Sequence, residues 1–227
     1  MPVRLLTPVL GVDGCRGEWL AATVAGDEHA ARLVRWQLGR FAHVLAGQPD
    51  ADVVAVDIPV GLVASGRREC DVAGRRALGG PAAARLFLVP PRDAFEAPTF
   101  GAANDLLRSR AEPAVSRQTY ALARAVLEVD ACAGDPRVHE VHPDLSFLAM
   151  TGRVPASKHS AAGLAERTDA LRRWLDVDGA VGSAPSRAGR DDVLDALAAA
   201  WTATRVRSGR AVVYPPGATA RSPVIRA

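Results

Sequence analysis

Three aspartates stand in segments whose other residues are typical of a protein core: Asp13 in PVLGVDG, Asp57 in DVVAVDIPVGL and Asp195 in DDVLDALAAAW. Burying a carboxylate among apolar side chains costs several kcal/mol unless a partner, often a metal ion, compensates its charge. Mg²⁺ and Mn²⁺ prefer oxygen ligands of this kind, and two such ions held by carboxylates catalyse phosphodiester hydrolysis. The three aspartates therefore predict an acidic metal-binding cluster.

Each of the first two aspartates also has a structural interpretation. Asp13 precedes a glycine, which is common in turns, and Asp57 precedes Ile-Pro, which can simply end a strand. Together, however, they place carboxylates at the ends of two strands that we expect to be neighbours in a central sheet.

The last predicted helix carries the sharpest local signal. Asp195 is the only charged side chain between Asp192 and Arg205, and its neighbours are apolar or small nearly all round the helix, which indicates burial. Asp192, one turn earlier on the same side, can join Asp195 in one site. Alternatively, Asp191 caps the helix and Asp192 interacts with its dipole, although neither role explains Asp195.

The elements that must position these residues follow from hydrophobic patterning and turn residues. Strands are predicted at 9–13, 19–24, 32–38, 52–58 and 138–141, the first two forming a hairpin through Gly14-Cys15-Arg16-Gly17. Helices are predicted at 41–46, 67–78, 100–108, 116–130, 161–175 and 191–207, with a Gly/Ser/Pro-rich link at 179–189. Residues 65–130 are expected to form a helical or loop insertion in one domain that spans 1–227.

Composition restricts the function classes. The chain has 227 residues, 48% of them hydrophobic, and a net charge of +3, which permits nucleic-acid binding without requiring it. Its three cysteines share no disulfide or zinc spacing, so we expect a reducing cytoplasm. We expect neither a signal sequence nor a membrane partner, since no apolar run approaches the length of a membrane span.

Several segments resemble, in the same order, those of the DUF429 family, which is predicted to contain RNase H-like nucleases. The likeness spans nearly the whole chain. The segments are GVDGCRGEW (11–19), DIPVGL (57–62), RRECDVAGR (67–75), SRQTYAL and EVD (within 116–130), HEVHPDLSF (139–147) and DDVLDALAAAWTA (191–203).

The resemblance implies an α/β, RNase H-like fold, with three antiparallel strands followed by parallel strands and with helices on both faces. It also implies an acidic site at Asp13, Asp57, Asp192 and Asp195, where the DxxD spacing is most similar to the Holliday-junction resolvase branch of that superfamily. Glu140, on the expected fifth strand, is a further candidate metal ligand. Its alternative role is an ordinary salt bridge at a strand end.

Two basic residues are candidates for substrate binding. Lys158 is the only lysine in the chain, and its compact ammonium differs from the guanidinium of the many arginines. Arg16 follows Asp13 in the predicted turn and could hold a phosphate oxygen. Arginines of the insertion, including Arg67 and Arg68, would suit a phosphate backbone, although a solvated helix face would look the same.

The sequence thus predicts an enzyme, a nuclease that hydrolyses phosphodiesters with two Mg²⁺ or Mn²⁺ ions and has nucleic acid as its partner. One alternative is an RNase H-like nucleic-acid-binding or scaffold protein that lacks catalysis. Another is an ATP phosphotransferase of the actin-like fold, although such enzymes require a second related domain and further glycine-rich phosphate loops.

Overall fold

The central sheet has the strand order of the RNase H-like fold. The computed structural model describes residues 7–219 and 222–227. Within them, five strands form a sheet in the order β3-β2-β1-β4-β5, in which β1, β2 and β3 pair antiparallel and β1, β4 and β5 pair parallel. The strands are β1 (Val9–Cys15), β2 (Glu18–Gly26), β3 (Ala31–Gly39), β4 (Val53–Val56) and β5 (Val138–Glu140). The predicted fold class is therefore confirmed.

A two-residue turn closes the first hairpin. Cys15 pairs with Glu18, and the turn residues Arg16 and Gly17 both have positive φ, at 50° and 83°. Turns of this type match the twist of the strands they join, but they require φ > 0 at both central positions. Gly17 adopts this conformation freely, whereas Arg16 is held in it by the register of the two strands.

Helices cover both faces of the sheet, as predicted. The following helices and short strands surround the central sheet: α1 (Phe41–Ala46), α2 (Glu69–Leu78), α3 (Arg92–Glu96), α4 (Phe100–Ser109), α5 (Arg117–Ala121), α6 (Ala123–Asp130), α7 (Pro143–Thr151), α8 (Ala161–Arg172), α9 (Val177–Gly182), α10 (Arg190–Arg207), β6 (Val213–Tyr214) and β7 (Ile225–Arg226). One face packs against α7 to α10, and the other packs against α1 and α6.

Several predicted elements have other bounds in the structure, for example β4, which is shorter than the strand expected at 52–58. The single helix expected at 116–130 is split into α5 and α6, because Leu122 N donates to Thr119 O three residues back and tightens the chain there. The link expected at 179–189 is helical at its start, because the Asp176 side chain accepts from Gly179 N and caps α9. The segment between β4 and β5 holds α2 to α6, but α6 packs directly on the sheet.

Helix α10 lies unusually close to β1. A Cβ on Gly11 would stand 2.0 Å from Ala200 N and 2.1 Å from Ala196 O, so only glycine allows this approach. The alanines of α10 complete the contact from the helix side, since Ala196, Ala199 and Ala200 are fully buried. Small residues on both elements therefore fix the position of α10 over the first strand.

Candidate active site

Asp13 and Asp57 lie side by side at the carboxyl ends of two neighbouring parallel strands. Val12 pairs with Val56, and Asp57 N donates to Val12 O at 2.9 Å, which continues the ladder by one residue. Adjacent strands are about 4.8 Å apart, and residues in register point to the same face. Alternation along β1 places Asp13 on the face of Val9 and Gly11, which is the face covered by α10.

Helix α10 brings the third aspartate to the same place. Asp195 immediately precedes Ala196, whose carbonyl oxygen abuts Gly11, and its side chain is 4% exposed. The N-terminal end of α10 is thus directed towards the end of β1 that carries Asp13. The partial positive charge at a helix N-terminus favours carboxylates and phosphates nearby.

The three carboxylates affect one another electrostatically. Burial, followed by the charges of Asp57 and Asp195, raises the pKa of Asp13 well above its usual range. Burial and the charge of Asp195 raise the pKa of Asp57 to about 8, and burial also raises the pKa of Asp195. Without a cation, the cluster therefore retains protons that ordinary aspartates lose, which is the behaviour of a site built around positive charge.

Lys158 provides positive charge inside this cluster. Its Nζ donates to Asp195 Oδ2 at 2.7 Å and lies 4.0 Å from Asp191 Oδ2. Burial alone would lower the pKa of Lys158, but Asp195, Asp13 and Asp57 raise it above its usual range. The ammonium is therefore charged at every physiological pH.

Asp192 has a capping contact and a place near the cluster. Its Oδ2 accepts from Gly189 N at 3.1 Å, so the capping contact that the structural interpretation assigned to Asp191 is made by Asp192. Its charge still contributes to the raised pKa values of Asp13 and Cys15. Asp192 thus lies at the edge of the cluster.

Glu140 lies on the opposite face of the sheet from these aspartates, although it borders the same cavity. It pairs with Val56, not with Asp57, and alternation along β5 places it on the face of Val138. Its Oε2 accepts from Arg68 Nη2 at 2.5 Å and from Val60 N at 2.7 Å. The structure therefore shows the ion pair that was the alternative role of Glu140.

The partner of Glu140 corrects the interpretation of the insertion. Arg68 was assigned to a basic surface suited to a phosphate backbone, but its side chain is 0% exposed and also lies 3.3 Å from Asp71 Oδ1. It therefore neutralises two buried acids and is not available to nucleic acid. Its neighbour Arg67 is exposed, as the prediction requires.

Two further residues at this site, Asp144 and Arg167, escaped the sequence analysis. Asp144, near the start of α7, accepts from Arg167 Nη2 at 2.5 Å, and its charge raises the pKa values of Asp57 and Asp195. His142 lines the same cavity, and burial lowers its pKa. Its Nδ1 is buried and has no hydrogen-bond partner in the described part of the chain. The HEVHPDLSF segment was the available signal for Asp144, but its aspartate was not singled out.

The cluster opens into a cavity of about 750 Å³. Asp13, Asp57, Asp195 and Lys158 line one part of it, and Arg16 lies at its border in the hairpin turn. Another part has an apolar wall that includes Trp19, Ile58, Phe87 and Leu122. A substrate that combines anionic groups with apolar ring faces would match both parts.

The carboxylate oxygens at this site suit a divalent cation, although the side chains do not form a complete coordination shell. Asp13 is only 7% exposed, faces the cavity, and has no hydrogen-bond partner for its carboxylate among residues 7–219 and 222–227. In the same residues, no three His, Cys, Asp or Glu side chains are arranged to hold a metal ion. The adjacent carboxylates of Asp13 and Asp57 fit such an ion as oxygen ligands.

Comparison with known proteins gives a family and a likeness to solved structures. A family model described as "Protein of unknown function (DUF429)" matches residues 11–220. No curated protein matches the chain. None of the helices that the structure describes has the length and apolarity to cross a membrane.

Two solved structures of RuvC from Thermus thermophilus are similar to this chain. One, in complex with a Holliday junction substrate, is 17% identical with a TM-score of 0.45, and the match covers 90% of this chain and 97% of that one. The other is 18% identical with a TM-score of 0.43, and the match covers 89% of this chain and 97% of that one.

Proposed function

We propose, from the premise that this chain belongs to the DUF429 family, that it is a divalent-metal-dependent phosphodiester hydrolase acting on nucleic acid. The observation that carries this proposal is the meeting of three carboxylates at one wall of a large cavity: the buried Asp13 of β1, the half-buried Asp57 just after β4 and the buried Asp195 of α10. The mutual rise of their pKa values supports a site that requires a cation.

Each residue has a distinct task in this proposal. Asp13 and Asp57 would hold Mg²⁺ or Mn²⁺, which supplies charge stabilisation and a more acidic bound water at neutral pH. Asp195 orients Lys158 through their hydrogen bond, and the Lys158 ammonium faces the cavity to meet a phosphate oxygen. Arg16 provides a second phosphate contact from the hairpin turn, while Asp192 supports the N-terminus of α10.

The cavity suits nucleic acid as the substrate. Its basic residues and the ion held by its acidic residues would bind the phosphodiester, and the half-buried ring of Phe87 in its apolar wall could pack against a base. We further propose a cytoplasmic location, which the three free cysteines support.

The test is a cleavage assay on single-stranded, duplex and junction DNA, RNA and RNA–DNA hybrid, with Mg²⁺, Mn²⁺ or Ca²⁺. We expect cleavage of at least one substrate with Mg²⁺ or Mn²⁺ and inhibition by Ca²⁺, whose longer bonds and looser geometry misalign the site. Asp13→Asn should reduce the rate by about 100-fold or more. The control Asp105→Asn removes an exposed carboxylate that pairs with Arg108, and it should leave the rate unchanged.

Two results would decide against hydrolysis. Absence of cleavage with either metal, together with absence of Mn²⁺ binding by calorimetry, would leave the nucleic-acid-binding scaffold as the function. ATP turnover by the same preparation, lost in Asp13→Asn, would instead favour the phosphotransferase.

A further inference from the structure

The backbone on both sides of Lys158 is fixed to α8 by hydrogen bonds, which keep the lysine at the acidic cluster. Ala156 N donates to Glu166 Oε2 at 2.8 Å, and Ala156 O accepts from Arg167 Nη1 at 2.7 Å. Two side chains of α8 therefore bind the backbone just before the lysine. Just after it, the Ser160 side chain caps α8 by accepting from Gly163 N at 3.1 Å. Lys158 is therefore anchored on both sides.

The packing of this segment against α8 is tight. A Cβ on Gly163 would stand 2.1 Å from the carbonyl oxygen of Ser157 and 2.6 Å from that of Ala156. Both contacts are with backbone, so the chain cannot adjust by rotating a side chain. The position of the lysine is thus set by the fold, unlike that of an exposed lysine on a mobile loop.

The charges at the cluster leave room for one divalent cation. Asp195 already has a cationic partner at 2.7 Å in Lys158. Neither Asp13 nor Asp57 has a side-chain hydrogen bond to any residue that the structure describes, although Asp13 is more than nine-tenths buried. Three carboxylates and one ammonium carry a net charge that a single divalent ion balances.

We propose that Lys158 is a resident cation of the site: Asp13 and Asp57 take one divalent ion, and the Lys158 ammonium occupies the position at Asp195 where a second ion would bind. This inference rests on the proposed function and replaces the sequence-based expectation of two ions. An ammonium is compact, has three donors and is strongly hydrated, so it can contact Asp195 and a phosphate oxygen together.

The test is the number of Mn²⁺ ions bound in the absence of nucleic acid, measured by calorimetry and checked by electron paramagnetic resonance. The wild-type protein should bind one ion per chain and show the spectrum of an isolated Mn²⁺. Lys158→Met should bind two and show coupling between neighbouring ions. Lys158→Gln keeps a hydrogen-bond donor for Asp195 without the charge and should also bind two ions. It tests the same prediction if Lys158→Met fails to fold.

The matched control is Arg108→Met, which removes one positive charge from an exposed arginine that does not line the cavity. It should bind one ion, as the wild-type protein does. Two ions in the wild-type protein, or one ion in both Lys158 variants, would overturn the role of Lys158 and leave the hydrolase proposal intact. Failure of all variants and of the wild-type protein to bind Mn²⁺ would instead refute the hydrolase proposal, and this inference with it.

Discussion

Adding a single methyl group to β1 should disrupt both the fold and the site. In Gly11→Ala the new Cβ would stand 2.0 Å from Ala200 N, whereas ordinary contacts begin at 3.4 Å. The opposing atoms belong to the backbone of α10, so the helix must move away from the strand by roughly 1 Å or more. Asp195 moves with the helix and Asp13 with the strand.

The cost follows from overpacking of a buried contact. Such insertions typically destabilise a protein by about 1–3 kcal/mol, and we expect the upper end because no side chain can yield. For a chain of this length, about 3 kcal/mol lowers the melting temperature by roughly 6–12 °C. The separation of the carboxylates should also weaken Mn²⁺ binding.

Gly14→Ala is the matched control. Gly14 lies in the same strand, and a Cβ there would have nothing within 4 Å. Its stability should change by less than about 0.5 kcal/mol. Urea denaturation and calorimetric melting of the two variants measure the difference. Equal melting temperatures for Gly11→Ala and Gly14→Ala would show that the β1–α10 backbone contact does not set the helix position.

Three further predictions concern charge. Because the folded protein holds the Asp57 proton up to about pH 8 while the unfolded chain releases it near 3.8, ionising Asp57 destabilises the ion-free fold progressively between those values. The free energy of unfolding of Asp57→Asn should therefore exceed that of the wild type by an amount that grows with pH. We expect this difference to reach about 2 kcal/mol near pH 8, after allowance for water in the cavity. Urea titrations with a chelator present measure it, and a difference that does not change with pH would contradict the prediction. Arg68→Met should cost about 3–5 kcal/mol by leaving two buried acids without a partner, and Arg68→Met with Glu140→Met should recover much of that stability. Glu140→Gln should leave Mn²⁺ binding unchanged, and a loss of binding measured by calorimetry would return Glu140 to the metal ligands.

The strands and the central acidic pair were predictable because their signals are local. Apolar runs mark β1 and β4, and an aspartate at the end of each run must lie at the carboxyl edge of the sheet. The α10 signal was equally direct, since a helix with Asp195 as its sole internal charge had to bury that carboxylate. The last helix followed from patterning, whereas the fold class came from the family resemblance, with which the predicted order of strands agreed.

The misassigned residues depend on information that the sequence does not display locally. Glu140 was misplaced because its face depends on register, and the pairing with Val56 puts it opposite the face that Asp57 uses. Arg68 looks like its exposed neighbour Arg67, and only the tertiary fold distinguishes the buried one. Asp144 and Arg167 are far apart in sequence, so their pairing was equally hidden.

The contact between Gly11 and α10 also sets the order in which the site can form during synthesis. Asp13 and Asp57 leave the ribosome early, whereas Lys158 and Asp195 follow after more than half of the chain has been made. Until α10 docks, the face of the sheet that it covers is exposed to solvent. Asp13 and Asp57 then lack the third carboxylate of the cluster, that of Asp195. Assembly of the three carboxylates is therefore a property of the finished chain, because Asp195 reaches the cluster only when the last helix has docked.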